Sequence, residues 1–256
     1  DRLSAFDVVF DKGIAKKGAV LTSVANFWFD KTSHILPNHL THEPLSSVLN
    51  DQEAKQIEGR GIIVKKLKPL AVEAIVRGYI IGSGWKDYQR TGGVCGIALP
   101  EHLQLAEKLP EVLYTPSSKA AVGEHDENID FAATVDILGE DMAKQVKQAS
   151  LALYQFAAGF ALERGIIIAD TKFEFGLDEN NTLTLMDEVL TPDSSRFWSA
   201  QDYQIGTSPK SFDKQIVRDY LETLDWDKTP PAPTLPQHIV DKTAEQYQQV
   251  QQLLTQ

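Results

Sequence analysis

A long amphipathic segment that leads directly into two strand-like segments is the feature that most restricts what this chain can fold into. Between residues 139 and 165, apolar side chains recur at intervals of three and four, which places them on one face of a helix. Residues 166–175 and 182–189 are rich in strand-forming residues and flank the turn sequence GLDENN, a pattern that predicts a β-hairpin. Because helices and strands interleave without a regular βαβ rhythm, the sequence predicts an α+β fold.

A break near residue 69 divides the strand pattern in the first third of the chain. Residues 61–67 and 71–80 are β-branched runs, and the intervening residues 68–70, which include a proline, suit either two strands or one strand with a hinge. This break is a candidate boundary between two lobes, one of residues 1–68 and one of residues 69–256.

Composition excludes several classes of protein. With 25 Lys and Arg against 36 Asp and Glu, the net charge of -11 gives little general attraction to nucleic acid or to an anionic membrane. No segment approaches the roughly 20 apolar residues of a membrane span. Cys95 is the single cysteine, so an internal disulfide is excluded. We expect a cytoplasmic, soluble protein without nucleic-acid or membrane partners.

One face of the predicted strand 166–175 carries charged side chains. Strand alternation places Asp170, Lys172 and Glu174 on that face. The opposite face would hold Ile167, Ala169, Thr171, Phe173 and Phe175. The charged row is either a solvated ladder of alternating charges or a site for a metal ion and phosphate.

The register of the predicted hairpin decides which residues face this row. A hairpin that turns symmetrically about residues 180 and 181 places Glu174 opposite Asp187 and Lys172 opposite Val189. Two carboxylate residues whose Cβ atoms are ~5 Å apart repel each other unless a cation lies between them. Magnesium is commonly held by one or two carboxylates together with substrate phosphates, so Glu174 and Asp187 are candidate ligands.

A second candidate anion site begins on the predicted strand 71–80. Arg77 shares a strand face with Glu73, and the sequence GSGW that follows opens a short helix for which Ser83 is a suitable N-cap. Free amides at a helix N-terminus, together with a guanidinium, bind phosphate well. The alternative is an ordinary capped helix with an Arg77–Glu73 ion pair.

Two further cations are candidate ligands for anions. Lys119 lies in the long polar loop 115–128, and Arg196 follows the hairpin in the sequence DSSR. A solvated loop and a surface arginine are the alternatives. The six histidines show no metal-ligand pairing beyond the acidic surroundings of His125.

Four motifs resemble one enzyme family. They are IADTKFEFG at 168–176, VEAIVR at 72–77 with Gly82 and Ser83, GEHDEN at 123–128, and DEVLTPDSSRFW at 187–198. Together they resemble the phosphoribosylaminoimidazole-succinocarboxamide synthase (SAICAR synthetase) family across nearly the whole chain. The resemblance implies a two-lobed fold with an ATP cleft between the lobes. Residues 1–68 would form a nucleotide lobe like those of kinases and ATP-grasp enzymes, and residues 69–256 the lobe for substrate and metal.

The resemblance also implies a reaction. Members join L-aspartate to the carboxylate of carboxyaminoimidazole ribonucleotide and convert ATP into ADP and phosphate, in de novo purine biosynthesis. Such an enzyme is an ADP-forming amide ligase that requires ATP and Mg²⁺. The γ-phosphoryl group is thought to activate the substrate carboxylate as an acyl phosphate, which the aspartate amine displaces.

Site roles follow from the same resemblance. Glu174 and Asp187 would bind magnesium, and Arg77 with Ser83 would bind the ribose phosphate. Asp170, Lys172 and Arg196 would surround the imidazole and its carboxylate, with Asp170 and Lys172 as catalytic residues. Lys119 would lie near the reacting groups. The nucleotide would be bound by Leu67, Lys68, Pro69 and Glu73, and the backbone of residues 67–69 would border adenine.

The sequence departs from the family pattern in two places. Members carry a glycine-rich hairpin before the segment that corresponds to residues 1–7, and the phosphate contacts of that hairpin are expected to lie outside this sequence. Ile81 stands where a small residue is usual. A nucleotide-binding module without catalysis and a kinase-like phosphotransferase are the alternative functions.

Overall fold

A seven-stranded antiparallel sheet is the main element of the computed structural model, which describes residues 1–6, 8–119, 127–212 and 214–256. The strands are β1 (Ser4–Ala5), β2 (Val8–Val9), β3 (Lys68–Pro69), β4 (Val72–Tyr79), β5 (Gly93–Val94), β6 (Ile97–Ala98), β7 (Lys108–Tyr114), β8 (Ser117–Ser118), β9 (Ile166–Leu177), β10 (Leu183–Met186) and β11 (Ser195–Ser199). The helices are α1 (Lys17–Thr32), α2 (Asp51–Gln56), α3 (Gly82–Thr91), α4 (Phe131–Leu138), α5 (Glu140–Leu162), α6 (Gln215–Glu222) and α7 (Gln237–Thr255), with a 3₁₀ turn at Leu45–Ser47. This mixture confirms the predicted α+β class.

Strand β9 organises the sheet. It pairs antiparallel with β4, β10, β11 and β3, and β4 in turn pairs with β7 and β8. The long helix α5 packs on β4 and β9, and α1 packs on α7. The chain passes from α5 through the left-handed Gly165 directly into β9, so this helix and this strand pack against each other although they are adjacent in sequence. No helix in the described part of the chain could cross a membrane.

A β-bulge in β9 changes the predicted alternation. Arg196 pairs with Asp170 but the next residue, Phe197, pairs with Ile168, so Ala169 is an extra residue in β9. A bulge shifts the phase of the side chains by one position. Phe173 and Phe175 therefore lie in the main core with Ile166 and Ile168, whereas Ile167 and Ala169 lie in a separate cluster with Trp198. The prediction that Ile167 and Ala169 share a face with Phe173 is wrong.

The register of the hairpin also differs from the prediction. Met186 lies opposite Glu174, and β10 ends there, so neither Asp187 nor Val189 has a partner position on β9 within this ladder. The turn contains three residues rather than two, because Asp178 N donates to Thr182 O and Asn181 adopts a left-handed φ of 59°. Such a turn moves the register by one residue.

The predicted strand 61–67 does not form a ladder. A single bridge joins Val64 to Leu40, while Lys68 and Pro69 pair with Leu177 and Gly176 at the far end of β9. The extended segment before residue 68 therefore pairs with residues 39–41, which follow the bridge from Asn38 to Leu185 of β10, and it joins the main sheet directly at β3.

Candidate functional site

Arg77 is a fully buried cation on β4, with 2% of its surface exposed. Its Nη1 donates to Asp170 Oδ2 at 2.8 Å, its Nη2 to Ser83 Oγ at 2.9 Å, and its Nε to Thr115 Oγ1 at 3.0 Å. Burial lowers the pKa of Arg77, and the charge of Asp170 acts in the opposite direction. The predicted association of Arg77 with Ser83 is present, and its carboxylate partner is Asp170 rather than Glu73.

Helix α3 begins in a way that the sequence did not predict. Its N-cap is Ile81 in an extended conformation, and Gly82 follows with a left-handed φ of 59°. The Ser83 hydroxyl accepts from Arg77 instead of capping the helix. The N-cap assignment to Ser83 is therefore wrong, because the buried guanidinium supplies a charged donor for that hydroxyl.

Asp170 accepts from two guanidinium groups. It lies directly opposite Arg196 across the β9–β11 ladder and opposite Arg77 across the β9–β4 ladder. The same oxygen, Oδ2, accepts from Nη1 of both arginines. Two guanidinium charges on one carboxylate leave a net positive charge; burial, and after it the charge of Arg196, lowers the pKa of Arg77. Such a group attracts an anion.

A cavity of about 70 Å³ opens beside Arg196. It is lined by Asp170, Pro192, Asp193, Ser194, Ser195, Arg196, Lys214 and Arg218. No sequence motif indicated Lys214 and Arg218, which are one helical turn apart at the N-cap and in the first turn of α6. Their i,i+4 spacing was a signal for a basic helix face, but only the packing of α6 places them at this cavity. The cavity walls suit a phosphate or carboxylate group.

A second row of charges lies on β4 and β9. Lys172 Nζ donates to Glu73 Oε1 and lies 3.7 Å from Glu174 Oε1, while Lys119 Nζ donates to Glu174 Oε2. Burial lowers the pKa of Lys172, but the hydrogen bond to Glu73 and the neighbouring carboxylate charges outweigh this effect, so its pKa is raised. Lys172 is therefore a permanent cation at neutral pH.

Asp187 lies beside this row although it is not the cross-strand partner of Glu174. The residue is exposed, yet neighbouring protein removes part of the hydration of its carboxylate. This desolvation, followed by the charge of Glu174, raises the pKa of Asp187. The carboxylates of Glu174 and Asp187 are hard oxygen donors of the kind that magnesium takes. Among the described residues, no group of three or more His, Cys, Asp or Glu side chains is arranged for a metal.

The predicted nucleotide-binding segment lies near the same end of β9. Lys68 and Pro69 are exposed and pair with Leu177 and Gly176. A Cβ at Gly176 would lie 2.9 Å from Leu67 Cβ, so glycine allows residue 67 to approach the strand. The candidate segment 67–69 therefore lies two to three positions along the ladder from Glu174.

The GEHDEN motif at 123–128 lies partly outside the described part of the chain. The residues outside it are Gly123, Glu124, His125 and Asp126. Asn128 pairs with Ser117 and donates to Asp87 at 2.7 Å. Lys119 is the last described residue before this part of the chain, and its Nζ donates to Glu174 Oε2.

Comparison with known proteins identifies relatives that align with the whole chain. The SAICAR synthetase family model matches residues 1–233. The chain is similar to the phosphoribosylaminoimidazole-succinocarboxamide synthase of Neisseria meningitidis serogroup B, with 59% identity over 256 residues, covering 100% of this chain and 89% of the relative. The protein of that name from Pasteurella multocida is 57% identical over 255 residues, with coverage of 100% and 89%.

Solved structures share the fold. The SAICAR synthase of Saccharomyces cerevisiae, solved in complex with SAICAR, aligns with a TM-score of 0.89 and 41% identity over 100% of this chain and 86% of that chain. A SAICAR synthetase solved in complex with ADP aligns with a TM-score of 0.71 and 24% identity over 100% of this chain and 88% of that chain. The second likeness concerns the fold alone.

Proposed function

Because the chain belongs to the SAICAR synthetase family, we propose that it joins L-aspartate to the carboxylate of carboxyaminoimidazole ribonucleotide, with ATP converted into ADP and phosphate, as a step of de novo purine biosynthesis. The observation that carries this proposal is the pair of charged groups on adjacent strands. The positive group of Arg77, Asp170 and Arg196 lies next to the row that contains Lys172 and Glu174. One group suits an anionic substrate and the other suits a nucleotide with its metal.

The positive group of Arg77, Asp170 and Arg196 holds the phosphorylated ribonucleotide. Arg77 and Ser83 bind its ribose phosphate, and the 2.9 Å hydrogen bond between them keeps both side chains in place for it. Arg196 reaches the imidazole and its carboxylate, and Lys214 and Arg218 extend the positive wall of the cavity. Asp170 orients both arginines through one oxygen, so substrate binding requires little rearrangement of these side chains.

The second group holds the nucleotide. The backbone of residues 67–69 borders adenine, with Glu73 nearby, and Glu174 and Asp187 bind magnesium. When bound, magnesium neutralises charge on the phosphates of ATP. Lys119 Nζ donates to Glu174 and Lys172 Nζ lies 3.7 Å from Glu174 Oε1, so both ammonium groups can contact phosphoryl oxygens beside this metal ligand.

The reaction proceeds in two transfers. A carboxylate oxygen of the ribonucleotide attacks the γ-phosphorus and ADP leaves; the aspartate amine then attacks the acyl carbon, phosphate leaves, and the amine loses a proton. The Lys172 ammonium group stabilises the negative charge that develops on the transferred phosphoryl group, because its raised pKa keeps the side chain protonated. Lys172 is therefore a charge-stabilising residue and not the base for the amine.

The proposed function also implies a division of the chain into two lobes. Residues 1–68 form the nucleotide lobe, residues 69–256 form the lobe for substrate and metal, and ATP lies between them. The protein acts in the cytoplasm as a monomer or small homo-oligomer on ATP, L-aspartate and the ribonucleotide.

A phosphate-release assay with each substrate omitted in turn tests the proposal. We expect release only when ATP, L-aspartate and carboxyaminoimidazole ribonucleotide are all present with magnesium. Conversion of ATP into ADP without aspartate and without free phosphate would instead identify a kinase-like phosphotransferase. Binding of ATP by calorimetry, with no release under any combination, would identify a nucleotide-binding module without catalysis.

A further inference from the structure

Asp193 joins the loop between β10 and β11 to three helices. Its Oδ2 accepts from Lys17 Nζ at 2.6 Å and lies 3.3 Å from Lys214 Nζ, and its Oδ1 accepts from Tyr247 Oη at 2.6 Å. Lys17 is the first residue of α1, Lys214 directly precedes α6, and Tyr247 belongs to α7. One carboxylate therefore fixes the loop against elements that are distant from one another in sequence.

The position of Lys17 shows that this contact is needed. A cation in the first turn of a helix is disfavoured by the helix dipole, and a buried ammonium is costly without a partner. Lys17 is nevertheless only 6% exposed, with Asp193 as its ion-pair partner. Burial raises the pKa of Asp193, but the charges of Lys214 and Lys17 outweigh this effect, so its pKa is lowered and the carboxylate stays ionised.

The loop that Asp193 anchors contains a strained backbone. Asp187 and Leu190 are not glycines, yet they have left-handed φ values of 64° and 52°. Thr191 Oγ1 accepts from the backbone amides of Asp193 and Ser194, which gives the end of the loop a fixed shape. Asp193 stands three residues before Arg196 and six residues after Asp187, so it lies at the end of the loop that leads into the anion cavity.

We propose that Asp193 is a positioning residue for ribonucleotide binding. Its ion pairs hold Lys214 at the wall of the anion cavity and hold the loop so that Arg196 meets Asp170. The inference deepens the proposed function and depends on it for the identity of the ligand. The geometric role itself concerns any phosphate or carboxylate that enters the cavity.

Calorimetric titration of Asp193→Asn tests this role without requiring turnover. The amide keeps the size of the side chain and an acceptor for Tyr247, but it removes the charge that holds Lys17 and Lys214. We expect the Kd for carboxyaminoimidazole ribonucleotide to rise at least about tenfold, as when other orienting partners are lost, while the Kd for ATP stays unchanged. Tyr247→Phe is the matched control: it removes one hydrogen bond to the same carboxylate, keeps both ion pairs, and leaves the ribonucleotide Kd near the wild-type value.

A second substitution separates positioning from folding. Asp193→Asn leaves Lys17 buried without its charge partner and lowers Tm, and adding Lys17→Met removes that unpaired charge and restores Tm. We expect the double variant to regain Tm but still to bind the ribonucleotide weakly. Recovery of the Kd together with Tm, or a wild-type Kd in Asp193→Asn, overturns the inference. If the wild-type protein does not bind the ribonucleotide, the proposed function fails, and the same comparison with ribose 5-phosphate still decides the role of Asp193.

Discussion

At the scale of single residues, Arg77 shows why a guanidinium is required at the centre of this site. Its planar group presents several N–H donors in fixed directions and stays protonated even when buried. Three different nitrogens donate to Asp170, Ser83 and Thr115, which belong to three separate parts of the chain. A lysine has one nitrogen and cannot hold the same three acceptors in one plane, so Arg77 fixes their relative positions.

Substitution of Glu174 tests the metal assignment. Glu174→Gln keeps the shape of the side chain but removes one of two carboxylates, so we expect turnover to fall roughly 100-fold or more, since charge that stabilises the transition state is lost. The Tm should change little. Glu179→Gln, on the exposed turn of the same hairpin, is the control and should leave turnover unchanged. Full activity of Glu174→Gln at saturating magnesium would refute the assignment.

At the scale of elements, the start of α3 depends on a glycine. Gly82 has a left-handed φ of 59°, and a Cβ there would lie 2.5 Å from Nη2 of Arg196. Gly92, at the end of the same helix, has a φ of 74° with no atom within 4 Å of the added Cβ. The two glycines thus share a backbone requirement, and only Gly82 also leaves room for a functional side chain.

This difference gives a matched pair of alanine substitutions. Both Gly82→Ala and Gly92→Ala should lower the free energy of unfolding by about 1 kcal/mol, because alanine disfavours positive φ. Only Gly82→Ala should displace Arg196, and we expect it to raise KM for the ribonucleotide about tenfold or more. Urea denaturation and steady-state kinetics measure the two effects. Equal KM values for the two variants would show that Arg196 does not need this space.

At the scale of the whole molecule, the net charge of -11 contrasts with the cations at the site. Arg77, Arg196, Lys119 and Lys172 are brought together by pairing between strands and by one loop, and carboxylates hold each of them in place. The total charge therefore describes mainly the outer surface and the partners of these cations. It does not describe the local potential that an anionic substrate meets.

The stability of the whole molecule should depend on pH through His39. This residue is 5% exposed, and burial lowers its pKa to about 4. Between pH 4 and 6.5 the unfolded chain binds a proton there that the folded protein does not, so stability rises with pH across this range. We expect His39 to make the free energy of unfolding about 2 kcal/mol smaller at pH 5 than at pH 7.

Urea denaturation at the two pH values measures this contribution. His39→Leu should remove about that part of the pH dependence, since leucine fills the same space next to Phe29 and does not titrate. His102→Asn is the control, because His102 is exposed and asparagine tolerates its left-handed φ of 66°. An unchanged pH dependence in His39→Leu would contradict the assigned pKa.

The sequence alone determined the α+β class, the long helix leading into β9, and which side chains of β9 bear charge, because these depend on local periodicity and on motifs that lie within short segments. The tertiary structure decided what those side chains meet. The bulge at Ala169, the three-residue turn at Asn181 and the pairing of Arg77 with Asp170 instead of Glu73 all depend on how strands register against one another. Lys214, Arg218 and Asp193 meet at the anion cavity only because α6 and the β10–β11 loop pack together, and contacts between such distant segments leave no periodic signal in the chain.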